Sequence, residues 1–177
     1  MNCINFVVPM NPCPCGFYPD RKRCMCTEAQ IRKYQGRISG PLLDRIDIYL
    51  EVRPLEYESM FLEGDSERSE DIRERVERAR LVQKKRYEGT EIYFNSQLDG
   101  ALVRKYIKLS NDVESELKSH ARKIRISARG LNRIIKLSRT IADLDGSCDV
   151  LKKHVEEACF YRNNMNHMEG GHGDVIR

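Results

Sequence analysis

Two closely spaced cysteine pairs near the start of the chain constrain its fold most. Cys13 and Cys15 lie in the run NPCPCG (11–16), and Cys24 and Cys26 follow after a short polar loop. Four thiolates suit a tetrahedral zinc site, because soft sulfur donors match a borderline-soft ion with no geometric preference of its own. Pro14 stiffens the first pair, and Gly16 lets the backbone turn away after it. The loop 17–23 is long enough to bring the second pair back. The C-x-C spacing is slightly shorter than the usual C-x₂₋₄-C. Two disulfides, or four free thiols, are the competing readings.

The remaining cysteines, Cys3, Cys148 and Cys159, are scattered, and the total of 7 is odd. A secreted disulfide framework spreads an even number more regularly. The first nine residues carry no basic region of the kind that opens a signal peptide, and no run of 18 apolar residues exists. The chain is therefore expected to be soluble and cytoplasmic, with no membrane partner. Charged residues at 33% and no Trp give a globular composition rich in helix formers.

Charge distribution is more informative than the net +4. Between residues 117 and 142 lie Lys118, Arg122, Lys123, Arg125, Arg129, Arg133, Lys136 and Arg139, with no Asp or Glu. Such a segment suits a polyphosphate or nucleic acid, and equally suits a solvated helix face. Residues 51–77 are mostly acidic.

Along the chain, residues 4–8 read as a short buried strand. Thr27 and Gln30 form a capping box for a helix over 28–34. Pro41 opens a short helical turn. The alternation Ile46, Ile48, Leu50, Val52 predicts a second strand. Ile72, Val76 and Ala79 share one face of a helix over 70–87. Asp99 caps a short helix, and Asn111 with Glu114 forms a second capping box. Leu131, Ile134, Ile135, Ser138, Ile141 and Ala142 line a helix over 128–144, closed by Gly146. A last helix is expected over 149–161. The predicted class is α+β, mainly α: a strand-containing piece over 1–60, resembling the end of a larger α/β core, a helical domain over 61–162, and a disordered tail over 163–177.

Three ordered motifs together resemble a known family: MNPCPCG (10–16), GPLLDRID (40–47), and ISARG (126–130) followed by RIIKLSRTIADLDG (133–146). The chain resembles the C-terminal part of the magnesium-chelatase-like AAA+ ATPases of the ComM/YifB type. That resemblance implies roles for particular residues. Asn11 matches sensor 1, whose amide contacts the γ-phosphate or the attacking water. By itself it is a turn-forming Asn before Pro12. Arg45 matches the arginine finger that reaches a neighbouring subunit's ATP, with Arg37 a second candidate. Alternatively Arg45 pairs with Asp44 or Asp47. Arg129 matches sensor 2, a lid residue touching ATP phosphates, and is otherwise one more member of the basic face. The resemblance further implies a hexameric ring and DNA work of the branch-migration kind. ATP and magnesium act only in the complete ATPase, and the zinc is structural.

The chain contains no G-x-x-x-x-G-K-[ST] and no apolar strand ending in Asp-Glu ahead of Asn11. ATP hydrolysis needs both a phosphate cradle and a magnesium-binding acid. The chain is thus expected to start just before sensor 1, as a truncated C-terminal half that neither binds ATP tightly nor hydrolyses it. A competing reading is a stand-alone zinc-binding module that contacts protein or DNA without ATPase activity. A third is a magnesium-chelatase subunit, against which the cysteine insert argues. His120, His154, His167 and His172 assemble no site and are expected at the surface.

Overall fold

The computed structural model describes residues 7–52, 67–124 and 126–163. The chain divides into two compact units, Met1–Arg45 with Met165–Arg177, and Ile46–Asn164.

In the first unit the cysteine loop leads into α1 (Glu28–Gln35) and the one-turn α2 (Gly40–Leu43). The capping box forms as the sequence predicts. Thr27 Oγ1 accepts from the Gln30 amide at 3.3 Å, and Gln30 Oε1 accepts from the Thr27 amide at 2.8 Å. This satisfies two of the donors that a helix start leaves open. The inward face of α1 carries Ile31 and Gln35, both buried, as are Cys13 and Leu43. Gln35 Nε2 donates to the Pro12 carbonyl at 3.0 Å, which ties α1 to the loop.

The second unit is helical: α3 (Ser69–Arg86), a 3₁₀ turn (Asn95–Gln97), α4 (Gly100–Tyr106), α5 (Asn111–Ile124), α6 (Ala128–Leu144) and α7 (Lys152–Asn163). α6 is its centre and packs against α7, α3, α4 and the 3₁₀ turn. Its apolar residues recur at both three- and four-residue spacings, so the stripe is wide enough to face several neighbours. Ser127 Oγ caps α6 by accepting from the Gly130 amide at 3.0 Å. At the other end Gly146 takes φ +70°, and the Ser147 amide reaches back to the Ala142 carbonyl at 2.9 Å. That is a Schellman closure, whose left-handed position glycine fills without a Cβ penalty. Asp99 caps α4 as expected, accepting from Ala101 and Leu102.

Four expectations are corrected. Among the described residues there is no strand. Val7 and Val8 are exposed and irregular, and residues 4–6 lie outside the described residues. The segment after Ile46 forms no strand among the described residues. Its Tyr49 amide instead donates to the Tyr161 carbonyl at 3.1 Å, one of the acceptors a helix end leaves open. Tyr49 is buried there, whereas Ile48, Leu50 and Val52, the anticipated inward face, are exposed. A period of two marks two faces but does not supply the ladder that makes a strand.

Asn111 lies inside α5 rather than capping it, because the Ser110 carbonyl already accepts from Glu114 at 2.9 Å. α7 starts at Lys152 rather than 149. His154 Nδ1 accepts from the Leu151 amide at 3.0 Å and so takes the place of a capping-box Glu or Gln. His154 is therefore buried, at 1% exposure, and not at the surface. Residues 164–177 lie outside the described residues, as does most of the boundary expected near residue 60.

Candidate metal centre and sensor positions

The cysteine loop is built from three short backbone turns. The Gly16 amide donates to the Cys13 carbonyl at 3.1 Å, Asp20 to Phe17 at 2.8 Å, and Cys24 to Asp20 at 2.8 Å. Gly16 adopts φ +84°, which a residue with a Cβ rarely takes. The last turn returns Cys24 and Cys26 to the first pair. Cys13 Sγ lies 3.3 Å from Cys15 Sγ and 3.8 Å from Cys24 Sγ, and Cys15 Sγ lies 3.6 Å from Cys24 Sγ. All four sulfurs fall within 4.8 Å of one another. A regular tetrahedron with metal–sulfur bonds of about 2.3 Å has edges of about 3.8 Å. The spacing thus fits a single ion held by Cys13, Cys15, Cys24 and Cys26. It is far too long for disulfides, and the six described cysteines are free.

The electrostatics point the same way. The Phe17 amide beside Cys15 lowers that thiol to about 6. Burial opposes ionisation of Cys13, but the Tyr18 amide, 3.5 Å from its sulfur, brings it below the ordinary thiol value. Burial pushes Cys24 up and Cys26 up to about 12. Four sulfurs this close cannot all carry charge unless a cation compensates them.

The other predicted residues divide between the two units. Asn11 is exposed and sits beside the metal loop, its side chain near Gly16. Arg45 is exposed two residues past the end of α2, its amide on the Leu42 carbonyl at 3.0 Å. Arg37 is exposed, 5.7 Å from the Tyr34 ring centre. Asp47, one of the two alternative partners of Arg45, pairs with Arg133. Arg129 belongs to the second unit, where it is exposed in the first turn of α6 with no hydrogen-bond or ion-pair partner among the described residues.

The basic stretch over 117–142 is not one surface. Arg139 is turned inward, and Arg133 is mostly buried beside Asp47. Lys136 donates to the Ser96 carbonyl at 3.0 Å, and burial lowers it from the usual lysine value. Lys118 pairs with Glu114 at 2.8 Å, and Arg125 lies outside the described residues. Arg122, Lys123 and Arg129 remain exposed.

Sequence reading missed the polar centre of the helical unit. Asp143, with a fully buried side chain, is bonded by Arg86, by Arg139 Nε at 3.0 Å and by Asn95 Nδ2 at 2.9 Å. Tyr87 donates to Asn95 Oδ1 at 2.6 Å. Arg139 also spans the carbonyls of Cys148 and Ser147, at 2.8 and 2.7 Å. The i, i+4 spacing of Arg139 and Asp143 was a legible signal; Arg86 and Asn95 lie far away in sequence and gave none.

Comparison with known proteins covers both units. The family profile described as "Magnesium chelatase, subunit ChlI C-terminal" matches residues 66–162, and that described as "Magnesium chelatase, subunit ChlI" matches residues 2–60. Competence protein ComM of Haemophilus influenzae is 36% identical over 157 residues, 88% of this chain and 30% of that protein. Uncharacterized protein YifB of Escherichia coli is 35% identical over 159 residues, again 88% of this chain and 30% of the relative. An uncharacterized protein of Mycobacterium tuberculosis is 32% identical over 140 residues, 79% of this chain and 27% of its own length. The chain thus spans less than a third of the relatives it matches.

Proposed function

Because this chain belongs to the magnesium chelatase ChlI family, in a branch that includes ComM and YifB homologues, we propose that it is the sensor-and-lid portion of a ring-forming AAA+ ATPase that works on DNA. Asn11 acts as sensor 1. Arg45 is the finger offered to a neighbouring subunit, with Arg37 in reserve. Arg129 is sensor 2, bringing the lid onto the nucleotide phosphates. The Cys13, Cys15, Cys24 and Cys26 cluster holds a structural zinc ion in a reducing, cytoplasmic setting. Zinc supplies a rigid crosslink there, and the chemistry of ATP is left to other groups.

The observation that carries this reading is the state of the arginines. Arg129 stands exposed at the start of α6 with no partner among the described residues, while Arg139, ten residues further into the same basic run, is consumed by the fold. An exposed arginine at a helix start is suited to a phosphate. The chain has no phosphate-binding loop of its own, so in this proposal the cradle and the magnesium-binding acid come from polypeptide outside these residues.

The test is ATP turnover by the complete protein carrying this segment. Arg45→Ala should abolish turnover while nucleotide still binds, and Arg129→Ala should weaken both. Unchanged turnover in both variants, or magnesium-dependent hydrolysis by the 177-residue chain alone, overturns the proposal. The competing stand-alone module predicts zinc binding with no effect of either arginine.

A further inference from the structure

The net charge of the chain is not where the basic helical run suggests. Residues 1–45 contain seven Lys/Arg (Arg21, Lys22, Arg23, Arg32, Lys33, Arg37, Arg45) against Asp20, Glu28 and Asp44. That difference is +4, equal to the formal charge of the entire chain, so the rest is balanced. A divalent ion on four thiolates carries −2, which still leaves the cysteine unit positive.

Within that unit the charge gathers at the tip of the metal loop, interleaved with aromatic rings. Arg21, Lys22 and Arg23 are consecutive and exposed. The Arg23 guanidinium lies 4.2 Å from the Phe17 ring centre, and the Arg21 guanidinium lies 4.8 Å from that of Tyr18. Phe17 is 42% exposed. The nearby acids are largely spent. Asp20 accepts from the Lys22 amide at 2.9 Å, and Glu28 holds an exposed ion pair with Arg21, a kind worth little in water.

We propose that this loop tip is a contact for single-stranded nucleic acid, with a base stacked on the Phe17 ring and the phosphates flanking it met by Arg21, Lys22 and Arg23. Rings beside guanidinium groups are the means by which proteins hold unpaired bases without reading sequence. A duplex hides its base faces, and this tip offers no helix or ribbon to enter a groove. An acidic protein surface would use the charges but leave the exposed Phe17 ring without a role. The inference rests on the reading that the protein works on DNA and adds where one strand is held.

The test uses the zinc-loaded chain and a fluorescent oligothymidine of about 15 nucleotides, with anisotropy measured across a salt series. Phe17→Ala should weaken binding at least about fivefold, the lower end for one lost base stack. Arg21→Gln with Lys22→Gln and Arg23→Gln should flatten the logarithmic salt slope by about 2, since each phosphate contact on a single strand contributes about 0.7. Arg122→Gln with Lys123→Gln on α5 should change neither. Zinc content is measured for each variant; if Phe17→Ala loses metal, the charge variant decides. Loop variants that bind like the parent, while the α5 variant fails, overturn the loop assignment and leave the DNA reading standing. A parent chain that binds only blunt duplex, or that polyglutamate of equal charge displaces as well as oligothymidine does, overturns the single-strand assignment. No binding at all overturns it together with this chain's share of the DNA reading.

Discussion

The Arg86 guanidinium grips both carboxylate oxygens of Asp143, with Nη1 to Oδ2 at 2.9 Å, and so joins the last turn of α3 to the last turn of α6. A planar fork on a carboxylate fixes direction as well as distance. Asn95 and Arg139 complete the set, so α3, the 3₁₀ turn and α6 meet at one buried charge. Asp143 is held in place by partners that its burial makes necessary: desolvation alone would raise it, and Arg86, Asn95 and Arg139 together lower it below the ordinary carboxylate value.

Asp143→Asn should therefore destabilise the helical unit by about 3–5 kcal/mol, because it leaves two arginines without their counter-charge. The acid profile gives a second readout. A carboxyl with a depressed folded value contributes stability above its unfolded value, near 3.9, and loses it as pH falls through the folded one. Denaturant midpoints should show the parent's advantage over the Asn variant constant from pH 7 to 5 and shrinking below about pH 4. An advantage unchanged down to pH 2 would contradict the pairing.

Gly130 lies in the first turn of α6, where an added Cβ would meet Ile126 Cγ2 at 2.7 Å and Arg162 Nη2 at 3.5 Å. Arg162 is itself buried and donates from Nη1 to the Ile46 carbonyl at 2.6 Å. Gly130→Ala is expected to cost about 1–3 kcal/mol by overpacking, despite the better helix propensity of alanine. Thermal unfolding of the variant decides the sign; a rise in Tm would show that Ile126 moves aside freely.

The metal site makes a stoichiometric prediction. The purified chain should carry one zinc, and its four ligand cysteines should resist a thiol reagent until a chelator is added; with chelator and denaturant together all seven cysteines should react. Cys13→Ser should abolish tight binding. Gly16→Ala should weaken it, since a φ of +84° costs a residue with a Cβ on the order of 1–2 kcal/mol. Metal analysis that finds no zinc and four additional reactive thiols removes the site.

Cys159 sits in the core between α5 and α7, where burial pushes its thiol up to about 11. A thiol raised in the folded state keeps its proton after the unfolded chain has lost its own. Its contribution is thus complete below about pH 9 and lost as pH rises toward about 11. Comparing alkaline unfolding of the parent with that of Cys159→Ala isolates the effect: the parent's stability should fall more steeply between those values. Parallel curves would mean that the thiol reaches water.

Much of the helical unit was determined by sequence alone. The helix over Ala128–Leu144 was legible to the residue, because its cap, its wide apolar stripe and its closing glycine all act within a few residues of one another. The Thr27 capping box and the four-cysteine cluster were legible for the same reason. Tertiary structure decided what depends on a distant partner. Whether 46–52 pairs as a strand depends on another strand, and here Tyr49 found the end of α7 instead. Whether a basic residue faces water or the core depends on what lies opposite it. Arg139 and Arg129 belong to one basic run, yet Asp143 and the Ser147 and Cys148 carbonyls after α6 drew one inward, while the other stayed exposed. His154 likewise looked like a surface residue until the Leu151 amide and Asp145 gave its two ring nitrogens partners. Local backbone chemistry is written in neighbouring residues, whereas the pairing of charges across a core exists only once the chain has brought them together.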